Sequence, residues 1–171
     1  MYHSMALREP GKISKIGLDT FVDPRIEGGK MNPRTQKLED LVDVITIGGE
    51  EYLFYKPIPI DTLLIRGTYI DENGTLSTED EAMTLEGLPA VMATKRWGGK
   101  VSVQAREKVL AGTIHPKNGT VPGVLIDYAV ICPDPQNDHR QTSSWFQDDA
   151  YSGGIRGVAE AAMDLPFSVR K

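Results

Sequence analysis

Cysteine is nearly absent from this chain, with Cys132 alone, histidine occurs three times, and aromatic residues make up only 7%. A single thiol excludes an intramolecular disulfide framework and fits a reducing compartment. His3, His115 and His139 lie far apart and Cys132 stands in no CxxC or HxxxH spacing, so no metal is expected and the histidines read as exposed loop residues. No GxGxxG follows a strand, and GxxxxGK(S/T) and the GxSxG elbow are both missing. Nucleotide binding through a glycine loop and hydrolase chemistry of the elbow type therefore have no support. There is no apolar run of membrane-spanning length, and residues 1–10 lack the apolar stretch and small-residue cleavage site of a secretory signal, so a cytoplasmic protein is expected. A basic excess is missing as well: 19 Lys and Arg against 24 Asp and Glu leave a net charge of −5, which predicts no general affinity for nucleic acid or anionic membrane. What remains is 171 residues, 40% hydrophobic and 25% charged, the balance of one ordinary domain able to bury a core unaided.

The chain opens on residues 2–7, which read as the end of a helix, and passes directly into 12–18, which alternate apolar and polar residues as a strand does. This opening reads as the middle of a larger unit. Residues 26–40, with Gly28-Gly29 and Asn32-Pro33, read as a long loop, which compact domains seldom keep without a use. Two apolar segments, 42–47 and 50–55, flank Gly48-Gly49, the signature of a tight β-hairpin. After Pro57 and Pro59, residues 61–70 carry the aliphatic run of a buried strand, and 71–74 turn the chain. Thr78 and Glu81 stand at capping-box spacing, which predicts a helix from there to about Trp97, kinked or broken at Pro89. Residues 100–106 alternate as a strand, and a further buried strand is expected within 121–131 around Val124-Leu125-Ile126. This order predicts an α/β protein with a mainly parallel sheet, flanking helices and a β-hairpin. Residues 132–154 are polar and turn-rich, the pattern of a connector or pairing surface.

Function enters through longer phrases. Gly17-Leu18-Asp19-Thr20-Phe21-Val22-Asp23-Pro24-Arg25, followed by Glu27-Gly28-Gly29-Lys30-Met31-Asn32, resembles the GLGTFVDPR and GGK(L/M)N signature of family I CoA transferases, in the propionate CoA-transferase and acyl-CoA:acetate/3-ketoacid group. Ile65-Arg66-Gly67-Thr68, Gly74-Thr75-Leu76-Ser77, Gly98-Gly99, Val121-Pro122-Gly123 and Asp127-Tyr128 follow in the family's order, so the resemblance covers essentially the whole chain. It implies an incomplete α-type first half: residues 1–150 form part of that domain, and 151–171 form a linker toward a second half.

The resemblance further implies a glutamate nucleophile that forms an acyl-glutamyl anhydride and then a glutamyl-CoA thioester. That glutamate belongs to the second half, and the family's oxyanion-donating glutamine lies upstream of Met1, so no catalytic residue is expected in this chain. Glu72, within Asp71-Glu72-Asn73-Gly74, resembles the nucleophile's SENG setting but sits in a strand-to-helix turn of the first half and is set aside. Thr20, Phe21 and Val22 are expected to line the acyl pocket, with Gly28 and Gly29 allowing close backbone approach; the competing reading is a packed corner. The strand-end position of ligands in open α/β sheets motivates that choice. Gln104 and Glu107 are expected at a half-to-half interface, and Arg66 in a structural ion pair. No cofactor is expected to be bound, coenzyme A thioester being a substrate.

The implied partners are acyl-CoA, small carboxylates and a complementary transferase half or subunit, with self-association through uncovered apolar surface. Two departures argue against an independently active enzyme: Asp19 replaces the signature glycine and brings a charge beside a carboxylate site, and Pro89 interrupts a helix. A non-catalytic fragment that pairs with a transferase half or with itself therefore stands as the alternative. A sugar-phosphate isomerase-type protein on a related fold would rest on fold analogy alone.

Overall fold

The computed structural model describes residues 1–82 and 85–141. A short helix α1 (Tyr2–Ala6) leads into β1 (Lys12–Ser14), and a long irregular stretch with one 3-10 turn, Thr35–Lys37, precedes the hairpin strands β2 (Val42–Ile47) and β3 (Glu50–Tyr55). Gly48 and Gly49 take φ of 62° and 85°, the left-handed pair that a primed two-residue turn demands, and Ile47 pairs with Glu50 across it. β1 joins the outer side of β3, antiparallel, giving a three-stranded sheet in the order β1-β3-β2. Leu53, fully buried, anchors that sheet.

The second sheet holds the larger core. β4 (Thr62–Asp71) and the short β5 (Leu76–Ser77) are followed by helix α2 (Gly87–Arg96), then β6 (Lys100–Val109), β7 (Gly119–Val121) and β8 (Tyr128–Ile131), and a single-turn helix α3 (Pro135–Asp138) comes last. The order is β7-β5-β4-β6-β8. β4, β6 and β8 run parallel, while β5 and β7 close one side antiparallel. Parallel neighbours require a crossover, which α2 supplies between β5 and β6. Val101, Val103 and Ala105 alternate along β6 and pack with Ile70, Leu76, Val121 and Val91 of α2. α1 lies against α2 and buries Met5. Asp127 fastens the entry to β8: its carboxylate accepts from Lys95 Nζ at 2.8 Å, Lys100 Nζ at 3.2 Å and the Val101 N–H at 2.8 Å. The Lys95 bond and the Val101 amide hold that carboxyl well below the usual carboxylate range.

The α/β architecture with a chiefly parallel ladder and a β-hairpin is the expected one, and four local readings are corrected. Only residues 12–14 of the stretch 12–18 form a strand; after Ser14 the chain coils through bonds from Leu18 N–H to Lys15 O and Thr20 N–H to Gly17 O. The helix starts at Gly87 rather than near Thr78, because Glu81 is bonded elsewhere and the Thr78 hydroxyl caps nothing. Pro89 consequently falls in the first turn of α2, where a backbone N–H has no intrahelical partner to lose, and it breaks nothing. Gly123–Leu125 form a 3-10 turn instead of a strand, with Val124 87% exposed, since Gly123 lies flat against Gly74 and the Asn73 carbonyl with no room for a Cβ. The expected linker, 151–171, lies outside the described residues.

Candidate functional site

The loop 17–29 is held by one buried carboxylate. Asp23, fully buried, receives Arg25 Nε at 3.0 Å on one oxygen and Arg25 NH2 at 2.8 Å on the other. The N–H groups of Arg25 and Asp19 also donate to it, at 3.0 Å and 3.1 Å. The Arg25 bond, with these amides, holds the Asp23 carboxyl well below its ordinary range. Arg25 continues to Glu51 of β3 at 2.8 Å, which ties the loop to the hairpin. Around the same centre, the Asp23 carbonyl accepts from the N–H groups of Ile26, Glu27 and Gly28.

This frame brings the five expected pocket residues into one loop. Gly29 N–H donates to Phe21 O at 2.7 Å, so the 20–22 and 28–29 segments face each other directly. Thr20 folds its hydroxyl onto Gly17 O at 2.8 Å, Val22 is half-buried, and Phe21 stands 52% exposed. A Cβ on Gly29 would meet nothing within 4 Å, so the space beside its backbone is open. Gly17 is different: a Cβ there would lie 2.5 Å from Tyr55 Oη. Asp19 sits at φ 58°, the left-handed region that glycine enters freely and an aspartate enters at a cost. The strand-end argument for this loop does not apply, because β1 belongs to the antiparallel sheet rather than to the parallel one.

A second polar cluster was invisible in the sequence. His139 is only 2% exposed, against the expectation of an exposed loop residue, and its Nε2 lies 2.9 Å from Glu81 Oε1. The other Glu81 oxygen accepts from Arg66 Nε at 2.7 Å, and Arg66 reaches the Arg140 carbonyl at 2.8 Å, so the expected structural ion pair of Arg66 is present. Next to it Arg106 binds Asp80 at 2.7 Å and the Tyr69 hydroxyl at 2.6 Å. Burial pushes the Tyr69 hydroxyl up; burial alone would lower Arg106, but Asp80 and Tyr69 hold it above its usual value. These partners are 15 to 74 residues apart, and no local spacing announces them. Of this cluster Arg66 and Glu81 line a cleft of about 440 Å³, together with Leu64, Ile65, Leu76, Leu85 and Gln141 among others.

Glu72 is exposed and accepts the Ala111 N–H at 3.2 Å; Gln104 Nε2 donates to the Asp138 carbonyl at 3.4 Å. Glu107 is exposed beside Arg106. Among the described residues no three His, Cys, Asp or Glu side chains are placed to hold a metal ion, and no helix is long and apolar enough to cross a membrane.

A loop tied to a hairpin through Asp23 and Arg25, beside a mixed sheet with a parallel centre, defines an α/β domain. Residues 4–131 match the family model "Coenzyme A transferase". The chain is 44% identical over all 171 residues to the caffeate CoA-transferase of Acetobacterium woodii, covering 32% of that protein. It is also 32% identical over 123 residues, 72% of this chain and 47% of the relative, to the alpha subunit of the acetoacetyl-CoA:acetate/butyrate CoA transferase of Clostridium acetobutylicum. A crystal structure of the E. coli O157:H7 acyl-CoA transferase YdiF, a thioester complex with CoA, superimposes with a TM-score of 0.79 and 37% identity, over 91% of this chain and 31% of that one. The chain belongs to the coenzyme A transferase family and corresponds to part of its α-type half. It spans about a third of the length of the caffeate transferase and of YdiF.

Proposed function

We propose that this chain is a fragment or subunit, carrying part of the first half, of a cytoplasmic acyl-CoA:carboxylate CoA transferase acting on short-chain acids, with coenzyme A thioester as a substrate and no bound cofactor. The observation that carries this reading is the 44% identity to a caffeate CoA-transferase along the entire chain. A complementary half or subunit supplies the nucleophile. Its glutamate attacks the acyl-CoA carbonyl and expels the CoA thiolate, leaving a mixed anhydride; the thiolate then attacks the glutamyl carbonyl and releases the first acid, giving a glutamyl-CoA thioester. An incoming carboxylate reverses the sequence with its own acyl group. Splitting the exchange in this way lets each carboxylate react in turn with a group held in the site, so the two acids never have to meet on one thioester at once.

Within this scheme the loop of Thr20, Phe21, Val22, Gly28 and Gly29 forms one wall of the acyl pocket. Phe21 supplies an exposed apolar face, and Gly29 leaves its backbone open to approach. The bond from exposed Arg25 to the buried Asp23 carboxylate braces that wall, which favours a preorganised site over one that must fold around its ligand. Co-expression with the remaining segments of the caffeate transferase, followed by an acetyl-CoA to propionate exchange assay, tests the reading. Exchange by the complex and none by the chain alone is the expected result; a complex that forms and exchanges nothing defeats it.

A further inference from the structure

The outer strands of the two sheets are not alike. Among the described residues β1 and β7 have three residues each and β8 has four, whereas β2 has six, Val42–Ile47. Shortness, proline, a bulge or a charge normally blunts such an edge. β2 contains no proline, and its register with β3 runs unbroken from Val42 to Ile47. Its one charge is Asp43, which Lys56 Nζ meets at 3.0 Å.

Parity decides which backbone groups of β2 face outward. The Leu41 carbonyl accepts the Lys56 N–H at 2.9 Å, and the two-residue turn at Gly48-Gly49 closes on the pair Ile47 and Glu50. Antiparallel strands serve a neighbour through alternate residues, so Asp43, Ile45 and Ile47 bond to β3 while Val42, Val44 and Thr46 direct their N–H and C=O groups away from it. Among the described residues no turn, loop or side chain hydrogen-bonds to the backbone of these three. They form a row of unpaired donors and acceptors beside an apolar strand, the template on which another strand adds.

We propose that β2 pairs with β2 of a second copy of this chain, antiparallel, about a two-fold axis at Val44. The occupant is argued from self-complementarity. A two-fold axis normal to the sheet makes the strands antiparallel, and outward residues must meet outward residues. Centred on Val44, the pairing sets Val44 against Val44, Val42 against Thr46 and Asp43 against Ile45, so every outward group of 42–46 bonds and no like charges meet. Sliding one repeat in one direction puts Asp43 directly opposite Asp43, which is destabilising. Sliding the other way carries Val42 past the strand onto Gly48. Asp43 and the turn thus select one register. The two three-stranded sheets become one, with three-residue β1 as the outer strand at each end, so assembly stops at two copies. This surface lies in the smaller sheet and does not depend on the transferase reading.

The test uses the full chain, followed by sedimentation velocity and by residue-resolved amide hydrogen exchange over a series of concentrations. The expected result is a dimer whose amides at Val42, Val44 and Thr46 gain about tenfold or more in protection as concentration rises, while Asp43 and Ile45 are protected throughout. Two substitutions at one residue read the register. Ile45→Lys faces the Asp43 carboxylate of the other copy and Ile45→Glu faces it with like charge, twice per dimer, so the second variant should dissociate about tenfold more readily than the first. Lost packing alone would move both equally. Thr46→Pro removes an outward N–H from an exposed residue, so the chain should keep its circular dichroism spectrum and the dimer should weaken about tenfold or more. A chain that stays monomeric overturns the proposal, and so does a dimer in which the two Ile45 variants dissociate alike. Protection at 42, 44 and 46 that is independent of concentration, as a cover by residues 142–171 would give, also overturns it. Concentration-dependent protection confined to β8 at 128–131 does the same, by placing the contact on the larger sheet. Should either Ile45 variant fail to fold, exchange in the unaltered chain and the Thr46→Pro dimer still decide. Acyl transfer is read in none of these measurements, so their failure leaves the transferase reading where it stands.

Discussion

Gly67 of β4 and Leu76 of β5 compete for one volume. A Cβ built on Gly67 would lie 2.5 Å from Leu76 Cδ1, 2.8 Å from Leu76 Cγ and 2.8 Å from the Ser77 carbonyl oxygen, and Leu76 is itself fully buried. The leucine thus fills the space that a side chain at 67 would need. Leu76→Ala should destabilise the chain by about 2–5 kcal/mol, the range for truncating a buried leucine. Gly67→Ala should cost about 1–3 kcal/mol by overpacking. Two of the three short contacts involve the Leu76 side chain, so in the double variant the new methyl enters the space the leucine vacates and only the Ser77 carbonyl still resists it. The double variant should therefore be more stable than the summed singles by about 1 kcal/mol or more. Urea unfolding followed by circular dichroism reads this directly: at a slope of about 2 kcal/mol/M, that coupling displaces the midpoint by about 0.5 M from the additive value. Additivity to within about 0.3 kcal/mol would refute the claim that Leu76 is what makes residue 67 a glycine.

Asp127→Asn should flatten the acid limb of stability. The folded-state pKa of Asp127 is depressed, so its contribution is present above the unfolded value of about 4 and fades as pH falls through the folded one; midpoints measured from pH 5 to 2 should fall less steeply in the variant, and parallel curves would contradict the bonding described. At Asp19, held at φ 58°, replacement by glycine should change stability by less than about 1 kcal/mol, while Asp19→Val should cost more than that; equal thermal midpoints for the two would show that the backbone strain is not there. Phe21→Ser, on an exposed side chain, should leave the unfolding midpoint unchanged yet raise the KM for acyl-CoA in a reconstituted enzyme, and an unchanged KM removes Phe21 from the pocket. Glu72→Ala should leave exchange activity intact, since the carboxylate only accepts a loop amide; complete loss would reverse its assignment as non-catalytic.

The parts legible in the primary structure are those whose cause is local. Gly48-Gly49 dictates a primed turn, and the hairpin register follows from it. The alternation along 100–106 places Val101, Val103 and Ala105 inward, and the aliphatic run at 61–70 is the central strand. The family phrases from Gly17 to Asn32 mark a loop that does gather Thr20, Phe21, Val22, Gly28 and Gly29 into one place, and the gathering agent, the buried Asp23, stands inside the phrase itself.

Where the local reading failed, a distant group had taken the residue. Thr78 and Glu81 have the spacing of a helix cap, yet Glu81 serves Arg66 and His139 and the helix begins at Gly87. His139 is buried because a carboxylate 58 residues away receives it, and Val124 leaves its expected strand because Gly123 must pass against Gly74. Turn chemistry and side-chain period act over a few residues and so are written along the chain. Ion pairs and close glycine contacts arise between segments brought together only by folding, and there the tertiary structure alone decides.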